Sequence, residues 1–203
     1  MASGADALLF DLGRVVVDID FNLAFAKWAE YARCDQAVIA QRFLHDEAYR
    51  RHERGEIGAD QYFAALRSAL GVEISNAQLL EGWNAIFLGE MPGISSLLEE
   101  VAHRFPLYIF SNSNREHELY WSKRFTAVLR HFREIYVSST IGLRKPEAEA
   151  YHYVVKAIGT SAERIVFFDD TLENVDAARA CGLQAFQVKS AAEVADAVAN
   201  LAL

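Results

Sequence analysis

The chain has 203 residues, of which 52% are hydrophobic and 24% are charged. These proportions are typical of a globular protein with a hydrophobic core, and they exclude a disordered, fibrous or low-complexity chain. Lys and Arg number 20 against 28 Asp and Glu, which gives a formal net charge of −8. Because binding to a nucleic-acid backbone depends on clustered cations, we expect no nucleic-acid partner.

Cysteine use and the N-terminal segment bear on where the protein works. Cys34 and Cys181 are the only cysteines and lie far apart, which predicts neither a disulfide framework nor a structural zinc site. The N-terminal segment carries Asp6 and Asp11 without a basic region, and the apolar runs are too short to span a membrane. We therefore expect no signal peptide, no membrane partner and a cytoplasmic location, and we expect a monomer or a weak homodimer.

Five short apolar runs predict the strands of a parallel sheet. The runs do not alternate between apolar and polar residues, as expected for strands that helices cover on both faces. In chain order they are residues 7–10, 107–110, 135–137, 165–168 and 185–188.

Amphipathic patterns between the later runs predict helices. Pro146 fits the first position of one helix, and Thr171 fits the cap of a second helix that Gly182 terminates. Ser190 and Glu193 fit a capping box for the last helix. Alternating strands and helices predict an α/β fold with a doubly wound, Rossmann-like parallel sheet.

The segment between the first two runs has a different pattern. From about residue 21 to 89 there are amphipathic helical patterns and no convincing strand, and Ser75 with Gln78 fits a capping box there. We predict an α-helical cap of residues 19–90, inserted into an α/β core of residues 1–18 and 91–203. The cap is expected over the carboxyl ends of the strands, where ligands bind in open α/β folds.

Polar residues follow the predicted strands, and in such a sheet their loops converge on one crevice. The converging residues are Asp11, Ser111, Lys145, Asp169 and Asp170. Hard oxygen ligands suit Mg²⁺, and the ion together with a lysine neutralises phosphate oxygens. Since an aspartate can serve as nucleophile in such reactions, the constellation predicts Mg²⁺-assisted phosphoryl transfer on a small phosphorylated substrate.

The order and identity of these residues resemble the haloacid dehalogenase superfamily. Its pattern is an apolar strand that ends in Asp-x-Asp, a strand that ends in Ser or Thr, a lysine, and an acidic pair at a strand end. The matching segments are residues 10–13, 110–112, 144–147 and 167–174. The match covers the whole chain, and the insertion stands where the superfamily places its first type of cap. A closer similarity, to the bacterial alpha-D-glucose-1-phosphate phosphatase subgroup, lies in residues 10–22, 52–57 and 142–147.

The resemblance implies a metal centre. Asp11 is expected to be both the nucleophile and a Mg²⁺ ligand, and the backbone carbonyl of Gly13 is expected to be a second ligand. Asp170 is expected to bind Mg²⁺ directly, while Asp169 supports the ion through water.

The resemblance also implies how the substrate is held. Ser111 and the Asn112 amide are expected to bind the transferring phosphoryl group, next to the Leu12–Gly13 segment. Lys145 is expected to neutralise the phosphate and the nucleophile together.

One position departs from the family pattern. The second aspartate of the family's first motif protonates the leaving group, and Gly13 stands there in this chain. An alkoxide leaving group needs such a proton, whereas the anomeric hydroxyl of a sugar is more acidic and needs it less. We therefore expect an anomeric sugar phosphate, such as glucose 1-phosphate, as substrate. Asp18 and Asp20 are alternative acids, although a loop or turn role suits them better.

Two further hypotheses stay open. In a 2-haloacid dehalogenase the aspartate attacks carbon and needs no metal, and the acidic pair argues against that reaction. A catalytically weakened protein that only binds a phosphorylated ligand would explain the loss of the acid at Gly13, but it would not need a nucleophile. In the cap, the charged run of residues 45–54 predicts a solvated, ion-paired helix face rather than a metal site.

Overall fold

The computed structural model describes residues 4–201 and confirms the predicted α/β fold class. A parallel sheet lies at its centre with helices packed on both faces. The strands are β1 (Ala7–Phe10), β2 (Val17–Ile19), β3 (Phe87–Glu90), β4 (Leu107–Ser111), β5 (Glu134–Val137), β6 (Ile165–Asp169) and β7 (Gln184–Gln187). The central sheet has the order β5-β4-β1-β6-β7, and each neighbouring pair in it is parallel.

The helices fall into two groups along the chain. Between β2 and β3 lie α1 (Phe21–Ala32), α2 (Gln36–Arg42), α3 (Glu47–Glu53), α4 (Ala59–Leu70) and α5 (Asn76–Ala85). After β3 come α6 (Ile94–Ala102), α7 (Arg115–Arg124), α8 (Thr126–Leu129), α9 (Ser138–Ile141), α10 (Ala148–Ile158), α11 (Leu172–Ala180) and α12 (Ala191–Ala199). Within the described residues, no helix combines the length and the apolar character needed to cross a membrane.

The central strand β1 shows why its sequence is apolar without alternation. Leu8 and Phe10 pack into the hydrophobic core on one side of the sheet, and Ala7 and Leu9 pack into a second core on the other side. None of the four is more than 1% exposed. Since both faces of β1 are covered, every residue of the strand has to be apolar.

A two-stranded antiparallel ribbon corrects the prediction for residues 21–89. β2 pairs with β3, with an irregularity between Asp18 and Ile19, so a strand does occur within the segment predicted to have none. The proposed boundary between residues 18 and 19 also falls inside β2. β3 has one buried residue among four, and it is ordered by pairing with a strand about 70 residues away in sequence, which no local pattern reveals.

The predicted helix starts are partly correct. Ser75 and Gln78 form the expected capping box. Ser190 accepts the Glu193 N–H, but the Glu193 carboxylate accepts from the Lys189 N–H rather than closing the box. The prediction for Pro146 is wrong: α10 begins two residues later, because residues 144–147 form a turn closed by the Glu147 N–H and the Arg144 carbonyl at 3.0 Å.

Two tryptophans fill the space between α1 and α5. The rings of Trp28 and Trp83 are stacked with their centres 6.0 Å apart, and both side chains are fully buried. The Trp28 Nε1–H donates to the Leu79 carbonyl at 3.0 Å. A Cβ atom at Gly82 would overlap Nε1 of Trp28, so only glycine allows α1 to approach α5 this closely.

Replacing Gly82 with alanine is therefore expected to destabilise the fold despite the better helix propensity of alanine. Moving the rigid Trp28 indole to make room costs about 1–3 kcal/mol in the free energy of unfolding, measured by urea denaturation. The matched control is Gly89→Ala, since a Cβ atom there meets nothing within 4 Å. Equal stability of the two variants would show that α1 and α5 do not need the close approach.

Candidate active site

The carboxyl ends of three adjacent strands bring the predicted site residues together. Asp11 follows the central strand β1, Ser111 ends its neighbour β4, and Asp169 ends its other neighbour β6, with Asp170 next in the chain. Lys145 joins them from the turn before α10. All except the fully buried Asp169 line one cavity of about 650 Å³, which also borders helices α1 and α3.

Lys145 is the centre of the cluster. Its side chain is 1% exposed, and its Nζ atom donates to Asp11 Oδ1 and to Asp169 Oδ2, each at 2.7 Å. A buried ammonium needs such partners, because burial alone disfavours its charged form. The pKa of Lys145 lies above its ordinary value because the two carboxylates outweigh that effect of burial.

Asn112 fixes the backbone of Lys145, a role that sequence reasoning missed. Its side-chain Oδ1 accepts the Lys145 N–H at 2.8 Å, and its Nδ2 donates to the Lys145 carbonyl at 2.9 Å. The Asn112 side chain is thus engaged with the protein. The amide of Asn112 that is predicted to contact phosphate is therefore its main-chain N–H. The neighbouring Ser111 is buried and lines the cavity.

Asp169 is held from two further directions. Its Oδ1 accepts the Thr171 N–H at 2.9 Å, and Asn174 Nδ2 donates to its two oxygens at 3.0 and 3.1 Å. Asn174 also belongs to the sequence motif after β6, but the sequence did not indicate its partner. Together with Lys145, these bonds leave Asp169 fully buried and fixed in orientation.

Three carboxylates converge around a single amine. One oxygen from each of Asp11, Asp169 and Asp170 lies within 4.8 Å of the others, so three carboxylates face the buried ammonium of Lys145 and the more exposed guanidinium of Arg14, which lies 3.9 Å from Asp170. Burial raises the pKa of Asp11 to about 7, with Lys145 opposing the shift and Asp169 and Asp170 adding to it. Burial and Asp169 also raise the pKa of Asp170. The excess negative charge and the hard oxygen atoms fit a divalent cation such as Mg²⁺.

The wall beside Asp11 contains no acid at position 13. A Cβ atom on Gly13 would lie 2.9 Å from Ile19 Cδ1, so an apolar side chain occupies the space next to it. Leu12 and Gly13 line the cavity, whereas Asp18 and Asp20 are absent from its described lining. Asp20 instead caps α1 by accepting the Asn22 N–H. Neither aspartate therefore borders the described cavity as an acid at position 13 would.

The charged run of residues 45–54 is only partly a solvated face, which corrects the prediction. Arg50, Arg51 and Arg54 do pair with nearby glutamates at the surface. His52 and Glu53, by contrast, are buried. They contact partners distant in sequence, namely Glu116 for His52 and Arg144 for Glu53, each at 2.9 Å.

Comparison with known proteins gives consistent matches. The family model described as haloacid dehalogenase-like hydrolase matches residues 5–182. The sesquiterpene phosphatase astK of Aspergillus oryzae is 31% identical, covering 90% of this chain and 89% of its own. The D-ribitol-5-phosphate phosphatase of Bacteroides thetaiotaomicron is 22% identical over 92% and 93% of the two chains.

A solved structure shows the same fold. The haloacid dehalogenase family enzyme bt-2542 of Bacteroides thetaiotaomicron, in complex with magnesium and inorganic phosphate, superposes with a TM-score of 0.80 at 22% identity. The match covers 92% of this chain and 96% of that one.

Removing the Lys145 ammonium is expected to destabilise the protein in the presence of a chelator. Lys145→Met leaves Asp11 and Asp169 buried without their shared cation, at a cost of about 3–5 kcal/mol in the free energy of unfolding. The folded variant binds a proton more tightly than the unfolded chain, since its Asp11 pKa rises above about 7. The difference in the free energy of unfolding between the parent protein and Lys145→Met therefore decreases as the pH is lowered from about 9 toward 7.

Denaturant titrations across this pH range measure the effect. Lys156→Met is the matched control, because Lys156 is exposed on α10. If Lys145→Met were as stable as Lys156→Met at every pH, the ammonium would not be what holds the carboxylates together.

Proposed function

This chain belongs to the haloacid dehalogenase-like hydrolase family, and from that premise we propose that it is a Mg²⁺-dependent phosphatase of small sugar phosphates. The family match and the two phosphatase relatives support phosphomonoester hydrolysis. The helices between β2 and β3 serve as the cap in this proposal, and β1 with the chain after β3 serves as the catalytic core.

The observation that carries the proposal is the cluster of three carboxylates around Lys145. Asp11, Asp170 and the Gly13 carbonyl would hold the ion, and Asp169 would support it through water. Mg²⁺ supplies a positive charge that neutralises phosphate oxygens. A buried site rich in carboxylates repels a phosphate dianion unless cations balance it, so the ion and Lys145 are both required.

Asp11 is the nucleophile. Its Oδ1 is held by Lys145, and within residues 4–201 its Oδ2 has no hydrogen-bond partner. One carboxylate oxygen attacks phosphorus, the bond to the leaving oxygen breaks, and a phosphoaspartate forms. Water then attacks the same phosphorus, which releases phosphate and restores the carboxylate.

The phosphoryl group is held from the ends of β1 and β4. Ser111 donates its hydroxyl and Asn112 its main-chain N–H to phosphate oxygens, and the Leu12–Gly13 backbone borders the same space. Lys145 adds a positive charge, and the Asn112 side chain holds the Lys145 backbone in place. These groups stabilise the charge that spreads over the phosphoryl oxygens during transfer.

The leaving group selects the substrate. With glycine at position 13 and Ile19 beside it, that position offers no acid to protonate an alkoxide. An anomeric oxygen leaves without that proton more readily than a primary alkoxide does. A sugar phosphorylated at its anomeric carbon, such as glucose 1-phosphate, is the substrate that fits this wall.

The other hypotheses receive less support. A haloacid dehalogenase needs no metal, so its reaction does not account for three convergent carboxylates. A protein that only binds a phosphorylated ligand does not account for a nucleophilic carboxylate held by a buried lysine. A cytoplasmic location and a monomeric or weakly dimeric state stay predictions.

Asparagine at position 11 is expected to abolish turnover and keep the fold. Asp11→Asn removes the nucleophile, so phosphate release from glucose 1-phosphate falls by at least about 10³-fold, while the thermal midpoint stays close to that of the parent protein. Asp176→Asn, on the exposed face of α11, is the matched control.

A chelator should abolish the activity of the parent protein, and added Mg²⁺ should restore it. Full activity of Asp11→Asn, or indifference to chelator, would contradict the proposal.

Glycine at position 13 predicts a preference between isomeric substrates. Glucose 1-phosphate is expected to have a higher kcat/KM than glucose 6-phosphate, measured by phosphate release. Gly13→Asp restores an acid, because only the flexible end of Ile19 opposes a Cβ atom there, and it should raise the rate with glucose 6-phosphate more than with glucose 1-phosphate. A parent protein that prefers the 6-phosphate would refute the interpretation of Gly13.

A further inference from the structure

A buried ion pair in the wall of the cavity joins the cap to the core. Glu53, the last residue of α3, accepts through Oε2 from Arg144 Nε at 2.9 Å. The side chains are 7% and 17% exposed, and both residues line the cavity that contains Asp11. The proposed reaction does not use either of them, although Arg144 directly precedes Lys145.

The pair retains unused hydrogen-bonding capacity. Within the described part of the chain, Nη1 and Nη2 of Arg144 have no hydrogen-bond partner, and neither atom is fully buried, so both donors are accessible to a ligand. Tyr49, which also lines the cavity, lies next to the Glu53 carboxylate. Donors, a carboxylate acceptor and a hydroxyl thus share one wall.

Another part of the lining is apolar. Ile19, Phe21, Ile86 and Phe87 border the same cavity. A space lined by apolar side chains and by a charged pair suits a molecule that has apolar C–H faces and hydroxyl groups along its edge. A sugar or a sugar alcohol has this character.

We infer that Glu53 and Arg144 together bind adjacent hydroxyl groups of the substrate, and that the substrate is a polyhydroxylated phosphomonoester. Arg144 donates hydrogen bonds from its free Nη atoms to substrate oxygens, and the Glu53 carboxylate accepts hydrogen bonds from substrate hydroxyl groups. This inference rests on the proposed function, since it assigns the part of the substrate that lies away from phosphorus.

The charge balance of the pair favours hydroxyls over two other ligand classes. A second anionic group would meet Glu53 as well as Arg144, so the carboxylate cancels the attraction that a lone arginine would provide. A hydrocarbon chain would cover the free guanidinium donors without bonding them, which costs free energy. Hydroxyl groups satisfy both partners because each hydroxyl donates and accepts.

The test compares substrates with and without hydroxyls in matched variants. Glu53→Gln keeps the shape of the side chain but removes its charge, and Arg144→Lys keeps the charge but removes the fork of donors. For both variants the ratio of kcat/KM for glucose 1-phosphate to that for phenyl phosphate should fall about 10- to 100-fold, mainly through KM. In the parent protein, kcat/KM for one of the deoxy analogues of glucose 1-phosphate should be lower than that for glucose 1-phosphate by a similar factor. In Glu53→Gln, kcat/KM for that analogue should be only slightly lower than that for glucose 1-phosphate.

Glu147→Gln is the matched control. Glu147 pairs with Arg54, the residue that follows α3, at 3.3 Å, and neither residue lines the described cavity. The ratio should not change in this variant. If it fell as in Glu53→Gln, the pairs would act by holding the cap on the core and not by binding hydroxyls, and the inference would be overturned.

The substrate class has its own test. A prenyl phosphate or a sugar bisphosphate with a kcat/KM above that of every singly phosphorylated sugar and sugar alcohol would overturn the inference and leave the phosphatase proposal intact. If phenyl phosphate and the whole panel released no phosphate with Mg²⁺ present, the proposed function itself would fail.

Discussion

The site depends on the hydrogen bonds that the buried ammonium of Lys145 donates to Asp11 and Asp169. β1 and β6 are adjacent with Phe10 opposite Phe168, so the parallel register places Asp11 beside Asp169. Two buried carboxylates at neighbouring strand ends repel each other, and Lys145 between them relieves that repulsion. The sheet therefore brings together like charges, and their repulsion has to be offset by a cation from outside the sheet.

The turn at residues 144–147 is where several parts of the fold meet. Its Lys145 bonds the ends of β1 and β6, its backbone is held by Asn112 after β4, and its Arg144 bonds Glu53 of α3. Asp170 adds a third carboxylate, so Lys145 and the partly exposed Arg14 do not together neutralise the cluster. The remaining negative charge is what suits the site to a divalent cation and, through that cation, to a phosphate anion.

Sequence patterns were sufficient for the sheet and for the residues at its strand ends, since a strand buried on both faces is apolar throughout, as in β1. They were insufficient wherever a contact joins distant segments. β3 is ordered by its pairing with β2, and the buried carboxylate of Glu53 is paired with Arg144, 91 residues later in the chain. In the local pattern, Glu53 is indistinguishable from the exposed charged residues around it.

The most direct test of the account is the identity of the residue that carries the phosphoryl group during turnover. The protein would be mixed with glucose 1-phosphate and Mg²⁺, quenched in acid within one turnover, digested and analysed by mass spectrometry. The added mass of one phosphoryl group is expected on the peptide that contains Asp11, at that side chain. A phosphoryl group on any other residue would contradict the role of Asp11 as nucleophile.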